Sequence, residues 1–313
     1  MKKNILILLF LAFVLNGFSQ SKSAVSRAVE SIKKGHLSSK SIDKVVNNIS
    51  NNGLENIVQF ANDSIIENKT SAYILISLVA RKTADLNIKE KCIDLFIGGL
   101  SSNETVIAAR CADIITNYSK DILTQSQKKS IYKVAVGLRV KKPEILRYIG
   151  YIGGEESVRA LNNIVKTDSL LTNIEKWNLK LALAKCGEIT ELDYCLNKVK
   201  SIPVNDDVVY ELLPDLVYTG QRKAIDYLVD ILLSNEKNCN SANVEIDQKI
   251  LCGYRVMEFL ACVIVDFPIN FDDSGELATD DYVASLKQCR EWINQNRNSY
   301  IIKADSYSPA ECY

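Results

Sequence analysis

Gly153, Gly187 and Gly220 stand 34 and 33 residues apart, and each occupies the same place in the same apolar pattern. Eight and four residues before them come Ile145/Ile149, Leu179/Leu183 and Leu212/Leu216. Five, eight and twelve residues after them come Val158/Leu161/Val165, Leu192/Cys195/Val199 and Ile225/Leu228/Leu232. Apolar residues at these offsets share one face of a helix, on either side of a glycine that can end the first helix. A helix pair at this pitch cannot bury its apolar face alone, so it must stack on its neighbours. The pattern predicts an all-α solenoid. Apolar residues make up 47% of the chain and Gly plus Pro only 18 positions, which suits long helices and short turns. No sustained period-2 alternation points to strands.

The chain is expected to divide into a signal peptide at 1–19, a helical region of degenerate repeats at 20–142, clear repeats at 143–234, a C-terminal helical cap at 235–303 and a disordered tail at 304–313. Lys2 and Lys3, the apolar run Ile5–Leu15 and the small residues Gly17 and Ser19 carry the first expectation, with Gln20 as the mature N-terminus. The run is short for a membrane span, and no cysteine follows it to carry a lipid anchor. Breaks are expected near Asn51–Gly53, Asn68, Asp85 and Ser101–Asn103, with Cys111 and Ile115 continuing the apolar positions one unit upstream. Thr172 with Glu175 reads as a capping box, and Asn205 as a helix cap. A polar loop, Asn235–Asn243, precedes an expected apolar helix from about Ile246 to Val265, stopped by Pro268. A last helix is expected over about Asp280–Asn296.

The glycine after an apolar helix, then a polar residue and a second helix, recurs as Ile-Gly-Gly-Glu-Glu, Lys-Cys-Gly-Glu-Ile and Tyr-Thr-Gly-Gln-Arg. This resembles the short HEAT-like (PBS-lyase-type) repeat family, clearly over a third of the chain and loosely over two thirds. The proline and basic positions usual in that family are inconsistent here. The resemblance implies a right-handed α-α superhelix, and a scaffold that binds partners along a groove lined by the second helix of each pair.

Nine cysteines in an exported chain permit disulfides, and an odd total leaves at least one unpaired within the monomer. Cys195 holds a repeat core position, and Cys111, Cys252 and Cys262 lie in apolar helical stretches, so most are expected as buried thiols acting as small hydrophobes. Cys239 with Cys252, separated by an Asn/Ser-rich loop, is the pair most open to bridging. No C-x-x-C spacing supports zinc.

The net charge of zero conceals an asymmetry: 20–200 holds 27 Lys/Arg against 19 Asp/Glu, and 201–313 holds 9 against 19. That division suits an anionic ligand at one end, head-to-tail self-association, or simply an unevenly charged solvated surface. Lys128, Lys129, Lys133, Arg139, Lys141, Lys142 and Arg147 face only Glu144 along the chain, a stretch suited to an anionic glycan, a lipid headgroup or an acidic protein. Nucleic acid does not suit an exported chain.

Little points to catalysis. The single histidine, His36, is a linker residue, and no nucleophile elbow or phosphate-binding glycine loop is present. Asn270–Asp281 partly matches a calcium loop, but Asn270 replaces the first Asp and Asp281 the bidentate Glu, so it reads better as an acidic cap for the last helix. Tyrosines are more informative. Tyr194 and Tyr227 stand seven residues after their glycines, and Tyr151 and Tyr218 two before theirs; either they form a contact surface or they pack between repeats. The expected contact residues are therefore Tyr194, Tyr227, Asp193 and Asp226 in the groove, with Arg139, Lys141, Lys142 and Arg147 as a second contact. The expected partner is a protein, or alternatively a glycan stacked on the tyrosines. Neither cofactor, metal, catalytic residue nor stable membrane insertion is expected.

Overall fold

The computed structural model describes residues 24–36, 39–47, 49, 51–241, 245 and 247–303. The signal-peptide expectation at 1–19 and the tail at 304–313 lie outside the described residues. Within them the chain is helical, with isolated β-bridges but no strand. No described helix is long and apolar enough to cross a membrane. The chain divides into two compact units, 1–142 and 143–313.

Unit 1 contains α1 (24–33), α2 (Ser39–Asn47), α3 (Asn51–Ala61), α4 (Ile66–Lys82), α5 (Leu86–Gly99), α6 (Thr105–Ile115) and α7 (Gln125–Ala135). Helix α4 is central and packs on α2, α3, α5 and α6, and its Leu75, Ile76 and Val79 are fully buried. Cys111 and Ile115 are buried on α6 as the periodicity requires. Two expected breaks are displaced. Asn51–Gly53 begins α3, and Asn68 lies in the first turn of α4, where its Nδ2 donates to Asp63 Oδ2 at 2.8 Å. That bond ties the side-chain N–H of Asn68 to the residue preceding the helix, so a residue that often ends helices helps to start one. Asp85 caps α5 by accepting from Asn87 N and Ile88 N. A Thr124/Gln127 capping box starts α7, and Gln127 also donates to Asp94 Oδ1 on α5 at 3.0 Å.

Unit 2 holds three helix pairs: α8 (Lys142–Ile152) with α9 (Gly154–Thr167), α10 (Asn173–Lys185) with α11 (Ile189–Lys200), and α12 (Leu213–Thr219) with α13 (Arg222–Leu233). The three marker glycines fall between the members of each pair with φ of +71°, +97° and +63°, a region closed to most side chains. The Thr172/Glu175 box forms, and Asn205 Oδ1 accepts from Val208 N at 3.0 Å. Before α12 the chain makes a π turn over Val208–Leu212, and Pro214 then falls in the first turn of α12, where a missing N–H costs least. The predicted core face is buried on α10, α11 and α13. On α9 it is rotated by one residue. Ser157, Leu161 and Ile164 point inward, whereas Val158 is half-buried and Val165 is 50% exposed.

Helix α10 packs on α9, α11 and α12, and α12 packs on α11 and α13. The approach of α8 to its neighbours is close at Gly150: a Cβ there would lie 2.4 Å from the Tyr218 hydroxyl and 2.8 Å from Ala182 Cα.

Beyond α13 the chain departs from the expected helix over Ile246–Val265. Cys239 and Cys252 form a disulfide with Cα atoms 5.1 Å apart, and Cys239 and Ile250 exchange backbone bonds of 3.2 and 2.7 Å. This pairing holds Ile250 extended, so α14 begins only at Gly253 and runs to Val263. Cys262 is disulfide-bonded as well. Cys252 and Cys262 are thus not the free thiols their apolar surroundings suggested. Helix α15 (Tyr282–Asn296) starts at Asp281, whose carboxylate accepts from Val283 N and Ala284 N. From α15, Arg290 donates to the α13 end at Leu232 O (2.8 Å) and Ser234 O (2.5 Å), satisfying carbonyls that a helix terminus leaves open.

Gly150→Ala should destabilise unit 2 by about 1–3 kcal/mol through overpacking. Gly98→Ala, where a Cβ would meet nothing within 4 Å, should be neutral or stabilising. Urea denaturation of both variants checks this contrast.

Candidate functional site

A groove of about 790 Å³ crosses unit 2 over α9, α10 and α11. Its floor is Leu179 and Leu183, both nearly fully buried on α10. Val165 enters from α9, Tyr194 from α11, and the Trp177 indole from α10. Val165 is 50% and Tyr194 49% exposed, a large apolar fraction to leave in water within one groove. Lys176 and Lys198 also line it, and neither has an ion-pair or hydrogen-bond partner among the described residues. Lys180 is engaged instead: its Nζ is 2.5 Å from Glu191 Oε2 and 4.2 Å from the Tyr194 ring centroid. Asp168 turns its carboxylate to Leu170 N at 3.1 Å. The groove therefore presents apolar and aromatic surface with unneutralised positive charge.

Behind the groove lies a polar network that fixes Trp177. Its Nε1 donates to Asp215 Oδ2 on α12, whose other oxygen accepts from the Arg147 guanidinium on α8. Arg147 Nε donates in turn to Asn178 Oδ1 on α10. Tyr218 on α12 donates through its hydroxyl to Arg147 O at 2.6 Å and presents its ring to the guanidinium at 5.1 Å.

Of the expected contact residues, only Tyr194 lies in this groove. Asp193 pairs with Lys223 at 2.5 Å. Tyr227 is half-buried beside a separate hollow of about 190 Å³, with Lys200 5.0 Å from its ring, and burial followed by the Asp230 charge raises its pKa. Asp226 is not a groove residue: Arg222 Nε lies 3.0 Å from its Oδ1, and the Tyr300 hydroxyl donates to the same oxygen at 2.6 Å. Burial first, and that bond second, raise the Tyr300 pKa.

The second expected contact also dissolves. Arg147 is consumed in the network. Lys142 is 3% exposed and donates to Val136 O at 3.1 Å, because the end of α7 offers its ammonium a carbonyl. Lys141 pairs with Asp113 at 3.3 Å, and Arg139 alone is exposed without a partner among the described residues. Tyr151 and Tyr218 are buried packing residues. In the acidic loop, Asp272 accepts from Ser274 N, Ser274 Oγ and Glu276 N, bonds that lower its pKa, and Asp281 caps α15. No group of three or more metal-ligating side chains occurs among the described residues.

Sequence reasoning missed Trp177 and Val165. Val165 occupies a repeat core offset, and only the alternative spacing Ser157/Leu161/Ile164 could have revealed that it turns outward. Compared with known protein families and curated proteins, the sequence matches none.

The free thiols are poor nucleophiles. Burial pushes Cys92, Cys111, Cys195 and Cys289 up to about 12 and Cys186 up to about 11, from an ordinary value of 9. These raised values stabilise the fold fully below pH 9, and the contribution is lost as pH climbs from 9 towards about 12. The urea midpoint should therefore fall above pH 9, and replacing Cys92 and Cys195 by Ala should flatten that fall; a midpoint unchanged between pH 8 and 11 contradicts it.

Arg147→Met should destabilise by about 3–5 kcal/mol, because Asp215 stays buried and loses its cation. The double variant Arg147→Met/Asp215→Leu should recover more than half of that loss, as a double-mutant cycle would measure.

Proposed function

We propose that the chain is an exported, non-catalytic scaffold of short HEAT-like repeats, wound as a right-handed superhelix, that binds a protein partner through the α9–α11 groove. The observation that carries this reading is Val165 and Tyr194, both about half exposed, standing over a buried leucine floor with Lys176 and Lys198 unpaired beside them. Half-exposed aromatic and aliphatic side chains in a preformed groove are the anchors that protein interfaces use, and the lysines favour a partner segment carrying carboxylates. The repeat assignment is supported by the glycine-centred pairs and by α10 packing on α12 while α11 packs on α12 in turn. The Cys239–Cys252 bridge suits an oxidising compartment, in keeping with export. A glycan stacked on the tyrosines is the weaker alternative, since Lys180 and Lys200 already stand over the Tyr194 and Tyr227 rings.

Capture from cell-envelope extract, with captured proteins identified by mass, tests the reading. The wild type should retain a defined protein that Val165→Asp/Tyr194→Ala loses by about a hundredfold or more, a value typical of removing interface anchors. Ile189→Asp, at an exposed position outside the groove, should retain it. Equal capture by the groove variant sinks the proposal.

A further inference from the structure

Unit 1 carries a groove of its own, about 830 Å³, formed by the end of α5, the loop after it, the start of α6, and α7 with the segment that follows. Like the unit 2 groove it carries cations, but what stands beside them differs. The apolar residues Ile97, Leu100 and Leu138 are buried in its floor, and Val134 and Val140 reach its surface half-buried. No aromatic side chain lines it. The rim carries the hydroxyls of Ser101, Thr105, Ser126 and Ser130, none with a hydrogen-bond partner among the described residues. Lys133 and Arg139, both exposed, stand on the same rim and have no ion-pair partner among the described residues. The acidic lining residue, Asp94, accepts from Gln127 Nε2 at 3.0 Å, so its carboxylate is engaged.

With no aromatic side chain in its lining, the groove has nothing on which to stack a flat ring, and its half-buried valines lack the exposed anchors that Val165 and Tyr194 give the unit 2 groove. What it can do is hydrogen-bond and neutralise. Serine and threonine hydroxyls each donate and accept, which matches a ligand whose own groups do both. The guanidinium and ammonium supply charge-assisted bonds to anionic oxygens on the same ligand. The volume falls in the range of small-ligand clefts. We propose that this groove is a second binding site, and that its ligand is an anionic saccharide, with sugar hydroxyls on the serine rim and carboxylate or sulfate groups on Lys133 and Arg139. The site is independent of the unit 2 groove and of its protein partner.

The probes are polygalacturonate for carboxylates, dextran sulfate for sulfates, and neutral dextran, each titrated into the protein by calorimetry at fixed salt. At least one anionic polymer should bind and neutral dextran should not. Lys133→Gln/Arg139→Gln should weaken binding by about tenfold or more, the loss of two charge-assisted contacts. Ser130→Trp, which leaves the charge untouched and fills the groove, should weaken it comparably. Lys128→Gln/Lys129→Gln removes the same charge from α7 at positions that do not line the groove, and should bind as the wild type does. Thermal melting confirms that each variant is folded. The proposal is overturned if neither anionic polymer binds, if Lys128→Gln/Lys129→Gln loses as much as the groove variant, if Ser130→Trp binds normally, or if single-stranded DNA of equal charge competes equally, since each marks diffuse attraction to a basic surface.

Discussion

Unit 2 depends on one half-buried guanidinium. Arg147 reaches from α8 to Asn178 on α10 and to Asp215 on α12, so a single side chain touches the first helix of all three pairs. Its own carbonyl accepts from Tyr218, which closes the circuit in the opposite direction at 2.6 Å. Removing such a pair from water carries a desolvation cost that largely offsets its attraction, so its main effect is on arrangement rather than on net stability. A one-residue slip of α8 against α12 would leave Asp215, 8% exposed, without its cation. The apolar contacts between these helices tolerate several registers; the charged contact tolerates one. Gly150 is the steric counterpart, because only a missing Cβ lets the Tyr218 hydroxyl reach α8.

That network reaches the surface through Trp177. The indole N–H is tied to Asp215, so the ring that contributes to the groove wall is positioned from inside rather than by the groove itself. Preorganised apolar surface binds with less loss of side-chain freedom than a mobile side chain would. The Lys180 contact with Tyr194 works in the same direction, since the ammonium is held by Glu191 and in turn limits where the phenol can turn.

How much of this could be read from the chain alone depends on the range of the interaction involved. The three positive-φ glycines, the Thr172/Glu175 box and the Asn205 cap are local, within four residues, and the sequence pattern located each of them. Core positions followed equally well wherever the helix began where its glycine placed it. On α9 it did not, because the paired glycines Gly153 and Gly154 both take positive φ and rotate the helix start, carrying Val165 from the core into the groove. The α14 boundary failed for a long-range reason: the 13-residue separation of Cys239 and Cys252 brings two segments together and overrides a helical apolar run. The contact residues were the least legible. Which of Asp193, Asp226, Lys142 and Arg147 faces a partner depends on which counter-ion the fold brings to it, and Arg147 finds its own 68 residues away.

Charge pairing is therefore the filter that separates surface from site in a helical chain of this kind. A residue count treats every lysine in a basic stretch alike, and by that count 128–147 is one positive patch. In the folded units the same residues divide sharply: Arg147 is in the network, Lys142 is on a helix-end carbonyl and Lys141 is on Asp113, while Lys133 and Arg139 are left without a counter-ion beside a hydroxyl-lined groove. The same division in unit 2 sets Lys180 against Lys176 and Lys198. An internal partner already supplies the attraction that a ligand would otherwise provide, so an engaged charge contributes little to binding unless its pair is broken first. An unpaired cation in a concave, partly dehydrated setting has no such penalty, and its field is screened less than on an open surface. On that ground the two grooves differ in kind: one sets its cations beside a half-exposed valine and tyrosine, the other beside serine and threonine hydroxyls.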